Sequence, residues 1–401
     1  MKPPSLKRSS RVRGKLFFFA PLFWAFLSAG CDQEPLFWNI SQEVAPIKPI
    51  IGGAPSRIVS LAAPGLEPAL YVSNGDVWEF DLNVLPAARR MSSQPGGRIK
   101  TLAAAVSGSE GYLFSLDWEG NLKRNKRTSS GWAGWTLITK DSGLQQIFGA
   151  EDYLFAGAAD GNGYRLLSMA ANGASLTSIK NNCGLLMGAA EAGGNYFLGL
   201  MGDGVYVTPT PAAAISVGVV SGSEGRIIGL VPLFAGGIGA AATGAAALRA
   251  PENTGGECAI LSFTSGGALD FSQTIGTDFS GAMANWEGQN GEKLLLLGRH
   301  DGGYREFHLD PRTLYTPGTE GALSVEQGSR YNSTLAKYAV TSLICAPRPS
   351  TYPAPLNGVY TGFNVDGRPI IFASTSMNGF WSYRYRSRDG FSQWNGEDNG
   401  D

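Results

Sequence analysis

The feature that most constrains the fold is a segment that recurs seven times along the chain, with a period of about 40 residues that is typical of repeat folds. Each copy opens with a short apolar strand that ends in small residues. One large apolar residue of each opening is taken as equivalent: Leu61, Leu102, Phe148, Met187, Leu230, Met283 and Leu343. The first four steps between these positions are nearly even, and the last two are longer, as insertions would make them. A unit of this length cannot bury its apolar face alone, so the copies must stack on one another.

Most copies continue with a second strand that carries an aromatic residue, a turn, and a third strand of alternating polarity. Gly in these turns supplies the positive φ of a tight hairpin, and Asp or Asn side chains bond to their own backbone. Strands at such even spacing, with no amphipathic helix between them, predict an all-β protein. The turns include Asn74-Gly75, Glu119-Gly120, Asp160-Gly161 and Asp203-Gly204.

A fourth strand is less evident, but Gly131–Trp135 and Gly390–Trp394 close the second and the last copies with one spacing. Seven copies of four antiparallel strands predict a seven-bladed β-propeller, in which radial repetition buries most strand edges. Six or eight blades remain open, because the last copy contains an additional hairpin at Val359–Gly367.

Composition narrows the class of protein. Hydrophobic residues make up 43% of the 401 residues, which excludes a disordered chain, and 55 glycines suit a fold with many tight turns. The formal net charge is −1, and beyond the basic leader that ends at Lys15 the one dense basic cluster is Lys123–Arg127. The broad basic surface of a nucleic-acid-binding protein is therefore missing.

The N-terminus has the order of an export signal that ends in a cysteine. Basic residues precede an apolar run over 16–27, and three small residues lead into Cys31. Leu27–Cys31 resembles the lipobox of bacterial lipoproteins, with the large aliphatic residue four places before the cysteine, as in the looser spirochaete type. The resemblance implies that Cys31 receives a diacylglycerol thioether, with fatty acids such as palmitate, and becomes the new N-terminus. The alternative is a plain secretory signal with an incidental cysteine.

This interpretation divides the chain into a signal peptide (1–30), a lipid-anchored tether (31–55) and a propeller domain (56–401). Cleavage before Cys31 removes six of the 32 basic residues and no acidic residue, so 26 basic residues face 33 acidic ones and the mature net charge is −7. An anionic bilayer repels such a domain, and the lipid provides the attachment. Asp32 follows the rule for inner-membrane retention in enteric bacteria, which does not extend to every phylum, so cell membrane and outer membrane both remain open.

Several features that suggest chemistry have plainer explanations. The uncharged run Ile227–Leu248 passes the length test for a membrane helix but falls where two strands of the fifth copy are expected. After lipidation an odd number of cysteines remains: Cys183, Cys258 and Cys345. We place Cys183 and Cys345 near the inner strands of blades four and seven, too far apart for a disulfide, and expect buried free thiols.

Histidine and calcium chemistry are also weakly indicated. His300 and His308 flank one turn, but no recognised hydrolase motif accompanies them. Asp160–Gly163 resembles the start of a calcium loop but lacks the later acidic ligands. The sequence therefore indicates no cofactor, no metal and no catalytic residue.

Two charged stretches are candidate contact surfaces. Lys123–Arg127 could bind a phosphate or a lipid head group, although a solvated strand or loop explains it as well. Phe380–Arg388 alternates aromatic residues with arginines, which could stack on a ligand and bind anions, or could form a strand with its aromatic face buried. Trp132 and Trp135 are similar to closing strands of sugar-binding propellers, but core packing is the safer interpretation. The candidate ligand contacts are Trp381, Tyr383, Arg384, Tyr385 and Arg386.

We therefore expect an extracytoplasmic propeller that acts as a protein-binding or scaffold module in the bacterial cell envelope. Its contacts would be the membrane, through the lipid on Cys31, and a protein partner, with the oligomeric state open. Two alternatives are a glycan-binding, lectin-like propeller and an enzyme with its site in the central channel. Exposed Trp at the seams between blades would favour the lectin, and clustered acids or His in the channel would favour the enzyme.

Overall fold

The computed structural model describes residues 51–82, 88–213, 218–234, 241–253, 255–287, 293–301, 303–310, 312–314, 338–346, 370–377, 379–384 and 393–395. In these residues the chain forms 27 strands in seven antiparallel sheets, and each sheet is one blade of a propeller. Six blades have four described strands, and blade four has three. The predicted all-β, seven-bladed propeller is confirmed.

The strands follow one another through the blades in chain order. Blade one comprises β1 (Val59–Leu61), β2 (Ala69–Asn74), β3 (Asp76–Asp81) and β4 (Ala88–Arg90). Blade two comprises β5 (Ile99–Ser107), β6 (Glu110–Asp117), β7 (Asn121–Thr128) and β8 (Gly131–Lys140). Blade three comprises β9 (Leu144–Ala150), β10 (Tyr153–Asp160), β11 (Gly163–Ala170) and β12 (Thr177–Cys183). Blade four comprises β13 (Leu185–Ala192), β14 (Asn195–Met201) and β15 (Gly204–Thr208).

The remaining three blades repeat this order. Blade five comprises β16 (Ile227–Phe234), β17 (Ala242–Arg249), β18 (Cys258–Thr264) and β19 (Leu269–Gly276). Blade six comprises β20 (Phe279–Glu287), β21 (Lys293–Arg299), β22 (Tyr304–Leu309) and β23 (Arg312–Leu314). Blade seven comprises β24 (Val340–Ala346), β25 (Ile370–Thr375), β26 (Phe380–Arg384) and β27 (Gln393–Asn395).

The second strand of a blade is buried on both faces, because a blade lies between two neighbours. Such strands are therefore continuous apolar runs, as in Leu294–Leu297 of β21, where all four leucines are buried. Alternate residues face opposite blades: Leu295 packs in the cluster shared with blade five. Apolar clusters of this kind join blades one to six in sequence.

The small residues of each opening strand are explained by the centre of the ring, where the first strands of successive blades lie side by side. A Cβ atom added at Gly149 of β9 would lie 1.6 Å from the carbonyl oxygen of Ala104 on β5. One added at Gly229 of β16 would lie 2.2 Å from the oxygen of Gly281 on β20. Side chains at these glycines would force the inner strands apart, so the repeat requires glycine there.

The ring closes between blades seven and one. Phe80 of blade one packs against Phe372 and Phe380 of blade seven, with ring centroids 6.3 and 4.7 Å apart. The Ile58 amide donates a hydrogen bond to the Ser342 hydroxyl at 3.1 Å. Residues before β1 add to the seam, because the Phe380 amide donates to the carbonyl of Ile51 at 2.8 Å. The described end of the predicted tether, 51–55, thus contacts the ring.

The structure also tests the predicted membrane helix, whereas several other sequence predictions lie outside the described residues. The run Ile227–Leu248 lies on two strands, β16 and β17, rather than on a membrane helix. In the described part of the chain, no helix is long and apolar enough to span a membrane. The additional hairpin predicted at Val359–Gly367, the signal peptide at 1–30 and the lipidation site Cys31 lie outside the described residues.

Candidate functional site

The end of the ring at which each first strand begins is here called the upper face. The turn between second and third strands lies at this same end, since Ile99 at the start of β5 pairs with Asp117 at the end of β6. The exposed aromatic group of the described chain is on this face: Trp118, in the turn of blade two, is 60% exposed. Charged and amide side chains of blades one to three surround the turn and the mouth of the channel.

Two cations lie against the Trp118 indole. The Arg98 guanidinium carbon is 5.6 Å and the Lys100 ammonium nitrogen 5.1 Å from the ring centroid, both within cation–π range. Lys100 also donates to the Gln145 side-chain oxygen at 2.7 Å, and its partial burial lowers its pKa. We call Arg98, Lys100, Trp118 and Gln145 the Trp118 platform.

Arg57 occupies the mouth of the central channel. It precedes β1 of blade one, yet its guanidinium donates to the carbonyl of Ile147 at 3.0 Å and to the side chain of Gln146 at 3.1 Å, both on β9 of blade three. The guanidinium carbon lies 3.6 Å from the centroid of the Phe148 ring. Because blades one and three are not neighbours, this side chain bridges the channel. Loss of hydration lowers its pKa to about 10, so it stays charged at neutral pH.

An open cleft of about 440 Å³ lies at the upper end of the seam between blades three and four, and Cys183 and Asp203 line it. The Asp203 carboxylate accepts from the Gly184 amide at 3.2 Å. The Cys183 thiol donates to the Tyr164 carbonyl at 3.3 Å, and burial together with the Asp203 charge raises its pKa to about 11. A thiol with this pKa is protonated at neutral pH and is a poor nucleophile.

Cys183 lies near the inner strand of blade four, as predicted: it packs in one cluster with Leu186 and Ala189 of β13. It is itself the last residue of β12, the outer strand of blade three. One residue, Gly184, separates β12 from β13, so the sequence shows no boundary between the two blades. Cys345 lies on an inner strand as expected, and Cys258 begins the third strand of blade five. All three cysteines are buried and free, as predicted.

The basic cluster Lys123–Arg127 forms the third strand of blade two and is engaged inside the ring. Lys123 donates to the carbonyl of Pro95 at 2.5 Å, and Arg124 donates to that of Ala171 at 2.9 Å. Lys126 forms an ion pair with Glu110. Pro95 precedes blade two and Ala171 follows β11 of blade three, so these two hydrogen bonds join blade two to its neighbours, whereas the Lys126–Glu110 ion pair lies within blade two. The cluster is half-buried rather than a solvated strand, and it does not present a free anion site.

Arg127 belongs to a second small network at the same seam. It donates to the Tyr71 hydroxyl at 2.9 Å, and that hydroxyl donates to the Glu79 carboxylate at 2.6 Å. The Tyr71 ring meets Trp132 edge to face at 5.7 Å, and the indole nitrogen of Trp135 donates to a backbone carbonyl at 3.0 Å. Burial raises the pKa of Tyr71. Trp132 and Trp135 therefore pack between blades one and two, as the core interpretation expected.

The predicted contact stretch is described only in part. Trp381 on β26 is 1% exposed, which fits the alternative of a buried aromatic face rather than a ligand contact. Tyr383 and Arg384 lie on the same strand, but their side chains, together with Tyr385 and Arg386, lie outside the described residues.

The two histidines lie at different places in blade six. His308 on β22 is buried, with its Nε2 atom 3.9 Å from the Glu306 carboxylate, whereas His300 lies at the upper end of blade six. Asp160–Gly163 forms the hairpin between β10 and β11, as its alternative explanation predicted. Among the described residues, no three His, Cys, Asp or Glu side chains are grouped to hold a metal ion.

Comparison with known proteins supports the fold. No protein-family profile and no curated protein matches the sequence. An ancestral GH74 enzyme of known structure aligns over 88% of this chain and 47% of its own, with a TM-score of 0.53 and 12% identity. The chain thus spans about half the length of that enzyme. BBS1N, solved in complex with ARL6DN, aligns over 88% of this chain and 96% of its own, with a TM-score of 0.48 and 13% identity. The likeness to the GH74 enzyme, at 12% identity, concerns architecture alone.

Sequence reasoning did not single out Trp118 or Arg57. One usable signal for Trp118 was its position, because it lies in a predicted hairpin turn, where no neighbouring blade can cover it. Arg57 gave a weaker signal as a single cation directly before an apolar inner strand. Its partners on β9 depend on the closed ring and have no counterpart in local sequence.

Proposed function

We propose that the protein is a lipid-anchored β-propeller of the bacterial cell envelope, held to the cell membrane or the outer membrane by acyl chains on Cys31. Its domain faces the periplasm or the cell surface and acts as a protein-binding or scaffold module. The observation that carries the proposal is the order of the chain: an export leader, small residues and Cys31 precede residues that fold into a closed ring.

The charges support attachment through lipid rather than through the protein surface. The mature chain has a net charge of −7, which an anionic bilayer repels. The basic cluster Lys123–Arg127, the densest in the mature chain, is engaged in contacts between blades and in an ion pair within blade two. Acyl chains on one cysteine give stable anchoring when two or more are present, as a diacylglycerol provides.

A binding role is favoured over catalysis in the channel. Arg57 is bonded across the channel mouth, and inner strands approach so closely that glycine is required at Gly149 and Gly229. The described surface instead offers isolated exposed apolar groups, Leu137 at 58% and Met377 at 71% exposure. Their exposure makes both residues accessible positions at which the approach of a protein partner can be tested.

Anchoring is tested by expressing the full chain in a bacterium, as wild type and as Cys31→Ala, with and without an inhibitor of the lipoprotein signal peptidase. Wild type should sediment with membranes and carry a diacylglyceryl mass on an N-terminal Cys31. The variant should remain unprocessed or be released from membranes. An unmodified Cys31 in the mature wild-type protein contradicts the proposal.

The partner role is tested separately, with a photo-crosslinking amino acid placed at Leu137 or at Met377 of the anchored protein in its native envelope. A scaffold that holds one protein should give a discrete adduct at one of these positions, which survives detergent washing and is lost on competition with unlabelled protein. Absence of a discrete adduct at both positions contradicts protein binding by these surfaces.

A further inference from the structure

We propose that the Trp118 platform binds an anionic sugar residue, with the sugar ring stacked on the indole and its carboxylate held by Arg98 and Lys100. This site is independent of the protein partner proposed above and of membrane attachment. Three observations carry it: an exposed indole, the fixed position of its turn, and two adjacent cations that form no ion pair within the described residues.

The exposure of Trp118 is unusual within this molecule. The large side chains Tyr71, Phe114, Phe155 and Phe197 are all fully buried, whereas Trp118 is 60% exposed. Keeping a large apolar side chain in water gives up the burial free energy that a core position supplies. Exposed indoles of this kind are enriched where proteins contact ligands.

The turn holds Trp118 in place before any ligand arrives. Beneath it, the buried Asp117 carboxylate accepts from the amides of Glu119 and Asn121 at 3.0 and 2.8 Å. The Trp118 amide itself donates to the Arg98 carbonyl at 3.0 Å. Gly120 has φ +81°, and a Cβ there would lie 2.2 Å from the backbone oxygen of Asp141, just before blade three. A fixed platform lowers the entropy that binding must overcome.

The cations next to the indole lack a carboxylate partner within the described chain. Arg98 and Lys100 form no ion pair there; Lys100 is held instead by the neutral amide of Gln145. Two acidic side chains share the turn: Glu119 lies 3.4 Å from the Asn121 side-chain amide, and the buried Asp117 carboxylate accepts hydrogen bonds from the amides of the turn. Because neither acid pairs with Arg98 or Lys100, both cations are available to a carboxylate on a ligand.

An acidic sugar fits this site better than an acidic protein segment. Protein interfaces have a contiguous apolar centre with a polar rim, whereas Trp118 is a single apolar ring among charged and amide groups. A pyranose ring matches that arrangement, because it has one apolar C–H face and polar groups around its edge. A carboxylate on that edge would accept hydrogen bonds from Arg98 or Lys100, which are stronger than bonds between neutral groups.

The test uses the full chain extracted in detergent and three probes of similar length: an oligogalacturonate, its fully methyl-esterified form, and a polyglutamate peptide. Binding is followed by calorimetry and by indole fluorescence at low and high salt. The variants are Trp118→Ala, Trp118→Phe and the double change Arg98→Gln with Lys100→Gln. Leu137→Ala and Lys126→Gln serve as controls, since both lie on other parts of blade two. Urea unfolding confirms that every variant is folded.

Oligogalacturonate should bind the wild type with a dissociation constant below about 1 mM, more weakly at high salt. Esterification, Trp118→Ala and the double change should each weaken binding about tenfold or more, whereas Trp118→Phe and both controls should retain most of it. Binding that survives Trp118→Ala overturns the proposal. So does absence of binding to oligogalacturonate, or tighter binding of polyglutamate, which would instead assign the platform to a protein partner.

Discussion

Replacing Phe197 by Ala tests the packing between blades four and five. Phe197 lies on β14 and is 0% exposed, and its ring centroid is 5.9 Å from that of Phe263 on β18. It belongs to a cluster with Leu230 and Ala245 of blade five. A fully buried phenylalanine changed to alanine costs about 3–5 kcal/mol, as lost transfer free energy plus the cavity that remains. A loss of this size is a large share of the roughly 5–15 kcal/mol typical of folded domains.

Equilibrium unfolding in urea measures this loss for wild type and Phe197→Ala. We expect one cooperative transition with an unchanged slope and a lower midpoint, because the closed ring couples each blade to the next. Leu137→Ala, at a side chain 58% exposed, is the matched control and should change the free energy of unfolding by no more than about 0.5 kcal/mol. Phe263→Ala should combine with Phe197→Ala less than additively, since the two rings are in contact.

A loss below about 1 kcal/mol for Phe197→Ala would refute this account of the seam, because such a cost belongs to partly exposed sites. Two separate transitions would refute the coupling of blades through a closed ring.

Three further predictions follow from the centre, the channel mouth and the thiols. Gly149→Ala should destabilise the fold by about 1–3 kcal/mol or more, because its new methyl group would lie 1.6 Å from a backbone oxygen. Gly163→Ala should be tolerated, because its Cβ would be 3.7 Å from its nearest neighbour. Chemical denaturation compares the two variants. Arg57→Ala should lower stability by about 1.5–3 kcal/mol through loss of its charged hydrogen bonds, and an effect under about 0.5 kcal/mol would contradict the bridge. At pH 8 iodoacetamide should leave the folded protein unmodified and should label Cys183 and Cys345 only after unfolding. Labelling of Cys183 in the folded protein should rise as the pH approaches 11. Rapid labelling of the folded protein at pH 8 would contradict the burial of Cys183.

The buried thiols also determine the direction in which the stability of the fold changes with pH. Burial raises the pKa of Cys183 and of Cys345 above the ordinary value near 9, so the folded state keeps their protons where the unfolded state loses them. Their contribution to stability is therefore complete below about pH 9 and is lost as the pH rises through the folded-state pKa.

The repeat could be predicted because two local patterns mark each copy, an apolar opening strand and a glycine-containing hairpin turn. The seven openings coincide with β1, β5, β9, β13, β16, β20 and β24, since inner strands need small residues where backbones approach. Burial on both faces likewise makes the second strands continuous apolar runs, as in β21.

Properties that depend on neighbouring blades could not be predicted. Lys123–Arg127 has the pattern of a charged surface strand, yet the carbonyl partners of Lys123 and Arg124 lie outside blade two. The boundary between blades three and four could not be read from the sequence, because a single residue links β12 to β13. The bond from Arg57 to blade three joins residues 90 positions apart, a separation that local patterns do not report.

Closure of the ring is the claim on which the channel mouth and the anchored module both depend, and a distance between blades one and seven tests it directly. Spin labels are placed at Arg89→Cys, on the exposed outer strand of blade one, and at Met377→Cys, 71% exposed in blade seven. The buried native thiols should stay unlabelled. Because packed sheets lie about 10 Å apart, a closed ring predicts about 15–30 Å between the labels, whereas an open array of seven blades would separate them by about 60 Å. An Arg89→Cys and Leu137→Cys pair on adjacent blades one and two gives the reference distance. A distance in the shorter range confirms the closed propeller, and the separation expected of an open array contradicts it.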